Sequence, residues 1–389
     1  MDKILFDLTP LETKKKVRFH GGGEYAKSVF LRLVSVKSEN TILGFYNFDN
    51  TIDTQVSNII KNKKIKIYDV KKKEDLNELL EKYKFKRFYS ALPLYHYDLN
   101  PNVNFVYTIH GLRSLEVPKD KYEKLFIKNG KALIKYFYKR LSIKRYKQKI
   151  IDSYKLMLNK EPEFVVVPSL HTKYSLLNLY PNFNHNKLKV LYSPPKSKFL
   201  DKSLLDNFIY SKTERKNFLI VSGGIWYKNS IRAIIALDSI FDNFHTQNAI
   251  ILGVDNKLEY KIRKNFIKNN KRFIFKNYVT EEELNNYYKK SFSIIYPSLS
   301  EGFGYPPLEA MYFGTPVIAS CSSSISEVCG NAVLYFDSRN IVELKVRILT
   351  LIFEKTKWDD LSKKSIERFT MIYKKQLADL DELTNLILS

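Results

Sequence analysis

The chain has 389 residues, enough for two domains with full cores, and 44% of them are hydrophobic, which excludes a disordered chain. Sixty-five Lys and Arg against 41 Asp and Glu leave a net charge of +24, which implies an anionic partner: nucleic acid, an acidic membrane surface or a phosphorylated substrate. No apolar run reaches the roughly 18 residues of a membrane span, the N-terminus lacks the apolar core of a signal peptide, and two cysteines exclude a disulfide framework, so buried thiols in a reducing cytoplasm are expected.

In chain order, Met1 to Leu8 reads as a first strand. Gly21-Gly22-Gly23 then precede Tyr25, Val29 and Leu33 at helical spacing. Glycines placed there predict a loop whose backbone approaches a ligand closely. Thr41 to Tyr46, Ile65 to Val70, Arg87 to Leu92 and Val103 to Ile109 are strand candidates, and Glu74 to Tyr83 is helical through Leu76, Leu79 and Leu80. This alternation predicts a parallel sheet that binds ligands at the carboxyl ends of its strands. His110 follows one such end directly and precedes Gly111.

Val117 to Lys160 is the most basic part, with Lys and Arg interleaved by Tyr122, Phe126, Ile134, Phe137, Tyr138 and Leu141. Basic side chains around an aromatic and aliphatic face suit an interfacial helix on anionic lipid, and equally a domain helix with a solvated Lys-rich face. Glu163 to Ser169 and Lys187 to Tyr192 are further strands, and Ser193-Pro194-Pro195-Lys196 reads as a hinge. The expected domains are 1–195, 196–365 and a helical tail at 366–389.

The second domain opens with a strand running into Ser222-Gly223-Gly224, followed by Lys228-Asn229 and a helix. Asn248 to Val254 and Arg272 to Tyr278 continue the strands, and Thr280 with Glu283 forms a capping box. The densest signal is Phe292 to Ser320, FSIIYPSLSEGFGYPPLEAMYFGTPVIAS. It reads as a strand ending at Tyr296, a turn through Glu301-Gly302-Phe303-Gly304, a helix opened by Pro306 and Pro307, a stop at Gly314 and another strand. A helix N-terminus holds unpaired N–H groups and a partial positive charge, which seats a diphosphate. Glu301 and Glu309 beside it repel phosphate, and their natural partners are hydroxyl groups. A ligand carrying both is a nucleotide-sugar.

The spacing of Glu301 and Glu309 in EGFGYPPLEAMYFGTPV resembles the E-x7-E motif of retaining GT-B glycosyltransferases of family 4, the glycosyl transferases group 1. The resemblance implies an α/β fold of two Rossmann-like doubly wound domains facing an interdomain cleft, with the C-terminal helix crossing back to the first domain. It implies that Glu301 holds sugar hydroxyls, Glu309 ribose hydroxyls and His110 the donor sugar near the reacting carbon. Lys228 then neutralises the diphosphate, while Gly22, Gly23, Gly224, Gly302, Phe303 and Gly304 bring backbone to the donor. Tyr278 and Val279 are candidates for contact with the nucleotide base. Where the family usually carries an Arg after the glycine, this chain has Gly224, so Lys228 acts with backbone amides or Arg232 substitutes.

No metal cluster is visible, and Asp379-Leu380-Asp381 falls in a helical tail. The expected activity is therefore metal-independent, retaining transfer of a hexose from a nucleoside-diphosphate sugar to a glycan or lipid-linked saccharide in surface polysaccharide synthesis. The chain is expected in the cytoplasm, peripheral on the inner face of the membrane, with no nucleic acid bound. EGFGYPPLEAM leans toward mannosyl- and rhamnosyl-transferring relatives. The alternative is a non-catalytic GT-B-like protein that binds an anionic glycan or membrane surface.

Overall fold

The computed structural model describes residues 3–13, 21–37, 41–93, 99, 103–197, 215–244 and 247–389. The chain divides into two compact units, Met1–Leu112 with Lys147–Leu204 and Tyr373–Ser389, and Arg113–Tyr146 with Leu205–Ile372.

In the first unit seven strands pair in parallel, in the order Ile67–Asp69, Ile42–Tyr46, Ile4–Asp7, Arg87–Ser90, Asn104–Thr108, Phe164–Val167 and Leu188–Val190. Successive side chains of a strand point to opposite faces, so an unbroken apolar run needs cover on both. Ile4 and Phe6 pack with Tyr25, Val29 and Leu33 of the helix Gly21–Val36, while Leu5 packs on the other face with Leu76, Leu79 and Leu80 of the helix Lys73–Lys82. A helix at Thr54–Asn62, which the strand-by-strand reading passed over, is capped by the Asp53 carboxylate accepting from Val56 N. The end of the long helix Lys355–Leu388 belongs here as well. Leu380, Leu383 and Ile387 enter this core, and buried Arg87 pairs with Glu163 and donates to Leu386 O at 2.7 Å.

The second unit has six parallel strands in the order Phe273–Lys276, Asn248–Leu252, Asn217–Ile220, Ser291–Tyr296, Val317–Ser320 and Val333–Phe336. Phe218 and Ile220 bury against Ile231, Ile234 and Leu237 of the helix Ser230–Phe241, and Leu344 and Ile348 of the helix Ile341–Phe353 join them. The capping box at Thr280 and Glu283 is present at the start of the helix Glu281–Lys290.

Chain order placed Arg113–Tyr146 in the first domain, but its contacts group it with the second unit. The reason is local and physical. Asp120 forms a 2.9 Å ion pair with Arg232, at side-chain exposures of 4% and 8%, and Tyr122, Leu125 and Phe126 lie on the apolar core. Lys261 Nζ also donates to the carbonyls of Leu125 and Ile127.

Each sheet reverses its strand order once, between Ile4–Asp7 and Arg87–Ser90 in the first unit and between Asn217–Ile220 and Ser291–Tyr296 in the second. Such reversals open a crevice at the carboxyl ends of the two strands, where ligands of α/β sheets bind.

Candidate active site

At the reversal in the second unit, Asn217–Ile220 runs into a turn in which Ser222 and Asn229 hold left-handed φ values of 56° and 60°. Trp226–Lys228 forms one 3-10 turn between them. The neighbouring strand, Ser291–Tyr296, runs into the Ser298–Gly304 loop. Turn and loop are zipped together: Leu299 N donates to Tyr227 O at 2.8 Å, and Asn229 Nδ2 donates to Pro297 O at 2.9 Å.

Lys228 and Glu301 come together in this crevice. Lys228 Nζ lies 2.6 Å from Glu301 Oε1 and donates to the Tyr296 hydroxyl at 3.1 Å, with both charged side chains almost fully enclosed. Ser298 Oγ also donates to Glu301 Oε1, at 2.5 Å. Burial pushes the Glu301 carboxyl up, but the Lys228 ammonium and the hydrogen bonds from Lys228, Ser298 and Tyr296 outweigh it and hold the group below the usual carboxylate range. The backbone of the loop is fixed by serines that follow Val317–Ser320. Glu301 N donates to Ser323 Oγ at 2.7 Å, and Ser324 Oγ donates to the carbonyls of Glu301 and Phe303.

Gly302 is half-buried, and Phe303 is buried with its ring edge-on to Tyr305. Gly304 sits at φ 109° as the cap of the helix Tyr305–Tyr312, a conformation that a side chain disfavours. Glu309 is the fifth residue of that helix and is 4% exposed. Its Oε2 accepts from the Tyr288 hydroxyl at 2.9 Å. Burial and the Glu309 charge push Tyr288 well above its ordinary value, which keeps that hydroxyl a donor.

Gly224 lies where the Asn217–Ile220 and Asn248–Leu252 strand ends meet. A Cβ there would sit 2.1 Å from Gly253 O, so the position admits no side chain. Arg232, the expected substitute cation, is 7% exposed and committed to Asp120 and to Asn229 Oδ1. A cavity of about 270 Å³ adjoins this turn, lined by Gly224, Gly253, Asp255 and Asn277 among others. Tyr278 is exposed and Val279 half-buried at the next strand end.

The remaining candidates belong to the first unit. His110 is half-buried, its Nε2 lies 2.9 Å from Ala91 O, and its ring stands edge-on to Tyr25 at 4.7 Å. A carbonyl only accepts, so Nε2 carries the proton of that hydrogen bond. Gly22 and Gly23 were expected in a loop, but both fall in the first turn of the helix Gly21–Val36, where the run of apolar contacts from Tyr25 onward carries the helix back through the glycines.

Among the described residues, no group of three or more His, Cys, Asp or Glu side chains could hold a metal ion. Asp379 accepts from Tyr192 N and pairs with Lys375, whereas Asp381 pairs with Arg32, so this D-x-D serves separate local contacts. Cys329 is buried but Cys321 is exposed, against the expectation of two buried thiols. Sequence reasoning missed Ser298, Ser323, Ser324 and Asp120. The run Ser322-Ser323-Ser324 directly after a strand was a readable sign of a hydrogen-bonded turn.

Residues 204–368 match the family described as glycosyl transferases group 1. A relative is the O-antigen chain mannosyltransferase RfbU of Salmonella typhimurium, 26% identical over 233 residues. That alignment takes in 60% of this chain and 56% of the Salmonella protein, so the chain spans little more than half of that relative's length. The fold also matches solved structures. A glycosyltransferase from Rickettsia africae superposes with a TM-score of 0.64 at 15% identity, over 100% of this chain and 99% of that one. Anabaena HepE in complex with UDP superposes with a TM-score of 0.66 at 12% identity, again over 100% and 99%. The two parallel sheets are thus those of the GT-B fold.

Proposed function

We propose that this protein is a retaining, metal-independent glycosyltransferase that moves a hexose from a nucleoside-diphosphate sugar to a glycan or lipid-linked saccharide. The observation that carries the reading is the Lys228–Glu301 pair, enclosed at the strand-order reversal of the group 1 domain. An ammonium suits a diphosphate and a carboxylate suits sugar hydroxyls, so the two halves of the pair match the two halves of one donor. In the free protein the charges neutralise each other. An incoming diphosphate takes Lys228, and Glu301 exchanges that partner for hydroxyl donors while Ser298 keeps its orientation.

Cleavage of the bond from anomeric carbon to phosphate puts negative charge on the departing nucleoside diphosphate and positive charge on the sugar. Fixed donors aimed at the leaving group lower that barrier. Lys228 is such a donor, and the partial positive charge at the start of the helix Tyr305–Tyr312 acts in the same sense. Glu309, oriented by Tyr288, takes the ribose hydroxyls. The acceptor enters on the face that the leaving group vacates, which retains the anomeric configuration. The RfbU relative is described as a mannosyltransferase of the O-antigen chain, which favours mannose and a surface polysaccharide here.

The test is a screen of GDP-, UDP- and dTDP-sugars by thermal shift, followed by detection of nucleoside-diphosphate release with saccharide acceptors. A donor that raises the melting temperature and is consumed supports the reading. If no donor binds and none is turned over, the reading fails.

One surface favours a membrane-bound acceptor. The helix Gly130–Leu141 buries none of its residues, and Ile134, Phe137, Tyr138 and Leu141 lie exposed at positions i, i+3, i+4 and i+7. Leu141 is 88% exposed, and Lys131, Lys135, Lys139 and Arg140 flank this stripe. An apolar stripe edged by cations fits the interface of an anionic bilayer. Co-sedimentation with anionic but not neutral vesicles, lost in Leu141→Asp, is the expected result. No helix among the described residues is long and apolar enough to cross a membrane.

A further inference from the structure

The cations around the group 1 site are not equally available. Lys228 is neutralised by Glu301 and Arg232 by Asp120, and Gly224 has no room for a side chain. Arg113 stands apart. Its guanidinium carbon lies 3.7 Å from the centroid of the Tyr227 ring, and among the described residues it forms no ion pair. Tyr227 directly precedes Lys228 and accepts the backbone hydrogen bond from Leu299, so Arg113 rests on the wall of the crevice. The same short helix, Arg113–Glu116, reaches the opposite wall, where Ser300 Oγ donates to Glu116 Oε2 at 3.3 Å.

A guanidinium stacked on an aromatic face keeps its N–H edge in the plane of the stack, and that fork matches two phosphate oxygens at once. We infer that Arg113 is a direct ligand of the donor's diphosphate and supplies the net positive charge that the Lys228–Glu301 pair withholds until exchange. The inference rests on the nucleotide-sugar reading and adds to it the group that first meets the anion. It also gives Tyr227 a role, as the platform that orients the fork.

The test is calorimetric titration of the full chain with GDP, UDP and dTDP, then with the monophosphate of the base that binds best. A lost charge-assisted contact predicts that Arg113→Ala weakens the diphosphate by ~10–100-fold, and the preference over the monophosphate shrinks with it. Arg113→Lys, which restores charge without the planar fork, should recover only part of the loss. An unchanged preference in an Arg113→Ala protein that melts like wild type overturns the inference. Arg113 is then only a clasp holding its helix to Tyr227. If Arg113→Ala does not fold, Arg113→Gln, which keeps the stem in place, is judged by the same preference. If wild type binds none of the three diphosphates, the nucleotide-sugar reading itself falls, an outcome distinct from an insensitive Arg113.

Discussion

The carboxyl ends of the two sheets look alike in sequence, each with a glycine run and a polar candidate, yet they are built differently. In the first unit the glycines open a helix, a Cβ at Gly21 would meet nothing within 4 Å, and Lys27 of that helix pairs with Asp53 at 3.1 Å. In the second unit the glycine turn is closed to any side chain, and two enclosed ion pairs lie around it. A glycine run therefore states that a turn is permitted, not that it is tight. Enclosed ion pairs occur in both units, so the tight turn at Gly224, with Lys228 and Glu301 beside it, is what sets the second end apart.

Removing the Asp120 carboxylate should break the second arrangement most severely. Asp120→Ala leaves the Arg232 guanidinium enclosed without its counter-charge, a change that costs about 3 kcal/mol or more. Chemical denaturation should register that loss, and limited proteolysis should show cleavage within 113–146 as the segment leaves the second unit. The Lys228–Glu301 pair is of similar burial, but its effect should appear in activity. Glu301→Gln keeps the shape and hydrogen-bonding reach yet loses the charge, and transfer should fall by at least ~100-fold, as for loss of a transition-state contact. Near-normal transfer would place the chemistry elsewhere.

The same substitution gives a pH signature. Glu301 is held below its ordinary value of 4.5, so it binds fewer protons folded than unfolded. The stabilisation it brings is complete above that value and is lost as pH falls below it. The stability difference between wild type and Glu301→Gln should thus be flat near neutrality and shrink in acid. A gap that widened in acid would reverse the assignment of charge.

The fold was largely legible because buried parallel strands are short apolar runs, and Ile42–Tyr46 and Phe164–Val167 fall where the pattern put them. What was not legible is pairing across the chain. Lys228 meets Glu301 73 positions away, and Arg232 meets Asp120 in a segment that chain order gives to the other domain. Composition marked 117–160 as basic, but no local pattern tells which core Tyr122 and Phe126 cover. Arg232 was visible as a cation near the motif, and only its partner shows that it is committed to structure. The helical start at Gly21 was hidden because glycine is a poor helix former and tertiary contacts decided the matter.

Smaller effects sharpen the contrast between the glycine turns. Gly224→Ala forces a methyl group against Gly253 O, and relief requires a backbone shift costing about 2 kcal/mol. Thermal melting should fall by several degrees, with donor binding weakened as the Lys228 turn moves.

Gly21→Ala should do almost nothing to stability, and that makes it informative. The position is exposed, helical and open to a Cβ, so alanine's better helix propensity should stabilise the protein by up to about 0.5 kcal/mol at this first turn. If close approach of backbone to a ligand were the reason for glycine there, the variant would instead hold its melting temperature and lose donor or acceptor affinity. Melting and titration on one preparation separate the two cases. A loss of affinity without a loss of stability would show that the first unit's glycines also serve a ligand, and the difference between the two sheet ends would narrow to one of packing alone.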